Sequence, residues 1–222
     1  MSKPEPSPTL VLASRSPRRR ELLAAAGIAC EVQPAPFDDA DMRLFDPRPV
    51  AQAMALAYVK AAAVLASAPP HALVLGADTL CIVDGRSVGK PISEDHARRV
   101  LLDQVNRSHE VVSGVALLCV DPISDAPLTG ELRVAGLRWI TADTATVAWG
   151  EIPEDEIDRY VASGLWQGKA GGYNLFERID AGWPITYEGD PATVMGLPMT
   201  LLRERLEAHV VPGGAVSGPA VP

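Results

Sequence analysis

"LVLASRSPRRRELLAAAGI", residues 10–28, runs from an apolar segment straight into four arginines and then into a helix-like stretch. Thr9 to Ala13 reads as a buried strand. Ser16 then stands as the N-cap of a helix, Pro17 occupies its first turn, and Gly27 ends it. A strand feeding directly into a helix suggests an α/β or mixed α+β domain, and the rest of the chain continues the alternation. Cys30 to Gln33 reads as a second strand, and "DPRPVAQAMALAYVKAAAVLASAPP" as a long Ala-rich helix ending before Pro69. "ALVLGADTLCIVDG" reads as a strand turning through an Asp84-Gly85 hairpin. "SEDHARRVLLDQV", "PEDEIDRYVASG" and "GLPMTLLRERLEAHV" are expected to be helices, "EVVSGVALLCV" and "TATVAW" strands. The stretch from Asp121 to Asp143 is the least regular and reads as an insertion.

The chain has 222 residues, 47% of them hydrophobic, which suits one domain with its own core. Residues 1–8 and 211–222 have the Pro, Gly and Ser content of disordered tails, leaving a single domain over 9–210. The formal net charge is −8, which counts against nucleic acid as a partner, since that binding neutralises many phosphates. An anion can then be held only by a local cluster of cations in a cleft. The 3 cysteines show no CxxC spacing and read as small buried hydrophobes in a reducing compartment. No apolar run approaches the ~20 residues that span a bilayer, so a membrane is not an expected partner. The start, "MSKPEPSPTL", does not resemble a signal peptide, and a cytoplasmic location is expected.

Several residues stand out as chemistry. A helix start directs free N–H groups and the positive end of the dipole at one spot, and Arg15, Arg18 and Arg19 lie around it. A phosphate there would meet main-chain and guanidinium donors together. The other reading of Arg18 to Arg20 is a solvated helix face with Glu21 as partner. The P-loop pattern is absent, which argues against a phosphotransferase. Lys60 falls on the apolar stripe of its helix, with Ala53, Leu56, Ala57 and Val64, so its ammonium either snorkels to an edge or meets an anion. Asp78 interrupts "LVLGADTLCIV" with the only carboxylate of the run. It is either a cap near a strand end or a functional acid facing a cation, a metal or strong hydrogen-bond donors. Lys90 in "GKP" and Lys169 in "GLWQGKAGGYN" lie in loops where glycine lets a ligand approach the backbone. "FDDAD", with Asp38 and Asp39, is either an acidic surface loop or an oxygen-rich site for Mg²⁺ or Mn²⁺.

"LASRSPRRRELL", "GADTLCIVDGRSVGKP", "SHEVVSGVALL", "GKAGGYNL" and "GDPATVMGLPM" together resemble, in order, the signature blocks of the Maf (septum-formation-inhibitor-like) family. The resemblance covers about residues 9 to 202. It implies a metal-dependent nucleoside triphosphate pyrophosphatase, which releases a nucleoside monophosphate and pyrophosphate, with clearance of non-standard nucleotides as one role. A nucleotide-binding regulator of cell division without turnover is the alternative. The fold it implies is α/β, a mixed twisted sheet with flanking helices and two lobes around a deep cleft, similar to inosine-triphosphate pyrophosphatases. Members are often homodimers. The family's proton acceptor falls on Asp78, its phosphate-binding arginine on Arg15 or Arg18, its lysines on Lys60, Lys90 and Lys169, and its acidic pair on Asp38 and Asp39. Asp78, Asp38 and Asp39 are the expected ligands of the divalent cation, and Ser14 and Ser16 are expected to add hydroxyl donors to the phosphates. Two departures bear on chemistry. "DD" stands where many members carry a Glu, and Phe176 stands where the pyrimidine-triphosphate subgroup carries a glutamine.

Overall fold

The computed structural model describes residues 9–37, 48–119 and 138–207. Its centre is a mixed sheet of seven strands. Strand β1 (Leu10–Leu12) pairs in parallel with β2 (Glu31–Val32) on one side and with β3 (Leu73–Val83) on the other. The sheet continues antiparallel through β5 (Ser108–Leu118), β6 (Arg138–Trp149) and β7 (Ile185–Glu188), while β4 (Arg86–Val88) folds back on the far end of β3. Asp84 and Gly85 both take positive φ, 48° and 72°, as the expected two-residue hairpin demands.

Helix α1 (Pro17–Ala25) follows β1 and ends as expected. Gly27 has φ 73°; its N–H donates to the Ala24 carbonyl and the Ile28 N–H to that of Leu23, the paired bonds of a Schellman stop. Helix α2 (Pro49–Leu65) begins on a proline and stops at Ala66, shorter than the stretch expected to be helical. Its Ala53, Ala57 and Ala61 are fully buried against the sheet. The contact is backbone on backbone. A Cβ on Gly76 would lie 2.1 Å from the Ala57 carbonyl oxygen, and one on Gly114 would lie 2.3 Å from the Ala53 carbonyl carbon.

Strand alternation sends the other face to a second set of partners. Leu10, Leu12, Leu73, Leu75, Val115 and Leu117 pack with Leu23 of α1 and with Leu202 and Leu206 of α7 (Met199–Glu207). At the opposite end of the sheet Val147 and Trp149 pack with α3 (Glu94–Leu102), α4 (Glu154–Ala162) and the start of α5 (Leu175–Asp180). A short helix, α6 (Pro191–Met195), lies across β5 and β6. The apolar interior thus has separate centres at the two ends of the sheet, and a cleft opens between them.

One expectation fails. Residues 138–143 are not part of an irregular insertion but the start of β6, paired residue by residue with β5 from Arg138↔Leu118 to Asp143↔Ser113. Asp143 lies inside the strand, and its carboxylate accepts a bond of 2.6 Å from the Thr193 hydroxyl, which satisfies it there. Residues 121–137, like the tails 1–8 and 211–222, lie outside the described residues.

Candidate active site

The cleft exists because β3 is longer than its neighbours on one side. β1 pairs only with Leu73–Leu75, and β4 only with Cys81–Val83, whereas β5 pairs with β3 continuously from Val74 to Ile82. Residues 76–80 therefore lack a strand on their outer edge among the described residues. Asp78 and Thr79 sit in that gap, pointing to opposite faces of the sheet. The chain leaving β1 crosses the gap as Ser14–Arg19, and the loop around Lys169 closes the far wall. The resulting cleft holds about 550 Å³.

Ser14, Arg15, Ser16, Arg18, Lys60, Asp78, Lys90 and Lys169 all line this one cleft. Residues separated by more than 150 positions in the chain, all singled out by type and context, are thereby brought together. Asp38 and Asp39 lie outside the described residues.

Asp78 and Lys60 form the cleft's inner pair. Lys60 Nζ donates to Asp78 Oδ1 at 2.6 Å, and both side chains are buried, 8% and 9% exposed. The close seat of α2 on Gly76 and Gly114 brings the lysine within reach. The Lys60 ammonium thus neither snorkels away nor waits for a foreign anion alone, because its partner is the strand carboxylate. Among the described residues the other oxygen of Asp78 takes no hydrogen bond.

Arg19 ties the walls together. Its Nε donates to the Gly196 carbonyl at 2.8 Å, one terminal nitrogen to Ser14 Oγ at 2.9 Å and the other to Thr79 Oγ1 at 3.1 Å. Thr79 shares a 2.9 Å bond with Ser113, whose hydroxyl donates to the Thr193 carbonyl. The guanidinium fork suits three acceptors fixed in different elements. Arg19, read in the sequence as one of three equivalent cations, is instead buried at 8% exposure. The cleft cations with surface access are Arg15, Lys90 and the half-buried Arg18, whose pKa burial lowers, an effect offset in part by Glu177 and Glu21. Ser16 is extended as an N-cap must be, but its hydroxyl makes no cap bond.

The far wall is held by the glycine-rich loop. Gln104, fully buried, donates from one amide nitrogen to Val100 O and Gly171 O, both at 2.9 Å. Gly171 has φ 68°, and a Cβ there would lie 2.9 Å from Cys81 Sγ. That glycine serves packing against β3, not ligand approach; Gly168, with open space beside it, faces the cleft. Lys169 Nζ is ion-paired with Glu177 of α5. The sequence reading missed Glu177. Its signal was the "NLFE" spacing of a helix start, in which Asn174 caps the Glu177 N–H. Thr79 was legible only as the neighbour of Asp78. Phe176 is half-exposed and packs edge-on against Tyr187 of β7, ring centroids 6.2 Å apart.

A carboxylate and a set of cations facing one cavity can bind a polyanion and accept a proton beside it. Among the described residues no three His, Cys, Asp or Glu side chains group as a closed metal cage. One buried carboxylate with a free oxygen still fits Mg²⁺, which binds through one or two carboxylates and the phosphates of its substrate.

Known proteins resemble this chain over most of its length. The model of the family described as Maf-like protein matches residues 9–209. The dTTP/UTP pyrophosphatase of Moorella thermoacetica is 40% identical over 200 residues, 89% of this chain and 93% of that one. A nucleoside triphosphate pyrophosphatase of Synechococcus elongatus is 36% identical over 206 residues, 93% and 96% of the two chains. A solved nucleoside-triphosphatase / dITP/XTP pyrophosphatase of Mycobacterium abscessus is similar at a TM-score of 0.39 and 16% identity, covering 92% of this chain and all of that one.

Proposed function

This chain belongs to the Maf-like protein family, and from that premise we propose that it hydrolyses a nucleoside triphosphate to the monophosphate and pyrophosphate. The observation that carries the reading is the meeting of one buried carboxylate, Asp78, with Ser14, Arg15, Arg18, Lys90 and Lys169 on a single cleft. The relatives named dTTP/UTP pyrophosphatase make these two nucleotides the first to try.

The triphosphate lies along the helix start. Arg15, Arg18, Lys90 and Lys169 take the charge of the β- and γ-phosphates, the Ser14 and Ser16 hydroxyls donate to phosphate oxygens, and the positive end of the α1 dipole adds to them. A water oxygen attacks the α-phosphorus, the bond to the α–β bridging oxygen breaks, and pyrophosphate leaves. The proton of that water passes to the free oxygen of Asp78. Lys60 holds the other oxygen at 2.6 Å, which fixes the carboxylate's direction. A divalent cation, Mg²⁺ or Mn²⁺, belongs to the proposal, with the Asp38–Asp39 pair and the substrate phosphates as the groups that would hold it and the Asp78 carboxylate, before it takes the proton, adding negative charge beside it. When bound, such an ion neutralises phosphate charge and eases deprotonation of water.

The test is pyrophosphate release from dTTP, UTP, CTP and 7-methyl-GTP, with and without EDTA. Turnover of at least one, abolished by EDTA and restored by Mg²⁺ or Mn²⁺, is expected. Release from none of them overturns the hydrolytic reading, and nucleotide binding without release would leave a regulator. Release that ignores EDTA removes the metal alone.

A further inference from the structure

Helix α5 turns a carboxylate onto the cations of the cleft. Glu177 is the third residue of α5, where a carboxylate ordinarily reaches back to the amide of the capping residue. Its Oε2 is ion-paired with Lys169 Nζ instead. The Lys169 side chain is 10% exposed and that of Glu177 45%, so the carboxylate closes on the ammonium from the solvent side. The same carboxylate is the strongest charge acting on Arg18, where it offsets part of the penalty of burial. Lys169, Arg18 and Glu177 all line the cleft. Lys169, a cation expected to hold phosphate oxygens, therefore already has a carboxylate of the chain itself as its partner, and the same carboxylate raises the pKa of Arg18 on the same cleft.

We propose that Glu177 is a resident counter-ion of the cleft. It occupies Lys169 and steadies Arg18 when no polyanion is present, and it swings outward when phosphate oxygens replace it. The inference rests on the reading of these cations as phosphate ligands. Glu177 touches no reacting atom; it acts through Lys169 and sets how tightly triphosphate and pyrophosphate are held. A competing internal anion lowers the apparent affinity for both, because part of the binding energy goes into breaking the pair. Keeping the pair half-exposed keeps that penalty small: such a pair contributes up to about 1 kcal/mol, or roughly a fivefold change in affinity. Pyrophosphate, the product most able to linger on two cations, is then released faster.

Glu177→Gln removes the charge while preserving side-chain length and the backbone amide capped by Asn174. Titration calorimetry with inorganic pyrophosphate on the full chain should show binding about two- to fivefold tighter in this variant. KM for the nucleotide should fall in step. In a Lys169→Ala background the same substitution should move the pyrophosphate affinity by much less, as a pairwise coupling requires. Unchanged or weaker pyrophosphate binding in Glu177→Gln overturns the proposal. So does an equal gain without Lys169, or a loss of melting temperature with no change in affinity, the signature of a structural carboxylate. If turnover is present and the pyrophosphate affinity does not move, the counter-ion falls alone. If pyrophosphate binds more tightly but no nucleotide is hydrolysed, the hydrolytic reading falls alone.

Discussion

Asp78 and Arg19 are both buried at the cleft, and the structure makes their substitutions distinguishable. Asp78→Asn keeps an oxygen for the Lys60 ammonium, so the pair loses charge but not its hydrogen bond. The expected result is a fall in kcat of about 10²–10⁴-fold, the usual share of a positioned base, measured as pyrophosphate release, with the folded state retained by circular dichroism. Near-normal kcat removes Asp78 as the proton acceptor. Arg19→Lys should behave otherwise. A lysine cannot span the Gly196 carbonyl, Ser14 and Thr79 together, so the link between the two walls is lost. About 2 kcal/mol of stability should go with it, seen as a melting point roughly 4–8 °C lower. Activity should fall as well, because Ser14 is no longer anchored. Asp78 was legible in the sequence because an acid in an apolar strand is out of place. Arg19 was not, since nothing local separates it from Arg18 and Arg20.

The decisive element is α2. Its amphipathic stripe was readable, and with it the placing of Lys60 on the inner face. Which carboxylate or phosphate the lysine meets depends on how far the helix sinks onto the sheet, and that is set by Gly76 and Gly114 on strands far away in sequence. Gly76→Ala puts a methyl group 2.1 Å from the Ala57 carbonyl oxygen, backbone that cannot rotate aside. The helix must lift, at a cost of about 1–3 kcal/mol or more. Because the lift also draws Lys60 away from Asp78, kcat should fall along with stability in chemical unfolding. Full activity in a destabilised Gly76→Ala protein would show that the 2.6 Å pair does not matter to turnover. At β6 the reading went wrong for a related reason. Asp143 is acceptable in a strand only because Thr193, on a separate helix, supplies its hydrogen bond.

Across the molecule, a chain of net charge −8 collects cations on one cleft and sets an aromatic core behind it. His109 belongs to that core, bonded through Nε2 to the Tyr173 hydroxyl at 2.8 Å and packed edge-on against Trp149. Burial lowers its pKa from 6.5 to about 4. The unfolded chain therefore takes up the proton first, and this part of the stability is complete above pH 6.5 and lost as pH falls toward 4. Between pH 7.5 and pH 5 roughly 2 kcal/mol should disappear in urea unfolding, and a His109→Gln variant should show a flatter slope over that range. An equal slope in both proteins would place the acid sensitivity elsewhere. By itself the sequence determined the alternation of strand and helix, the stops at Gly27 and at Asp84-Gly85, and which acids and cations were out of place. These follow from local sterics, capping and hydrophobic period, which act over a few residues. Only the tertiary structure decided that β3 outruns its neighbours and opens a cleft at Asp78, that Lys60 is the partner of that acid, and that Arg19 braces the walls while Glu177 faces Lys169. Those outcomes depend on pairing register and on close approach between segments far apart in the chain, to which no local pattern responds.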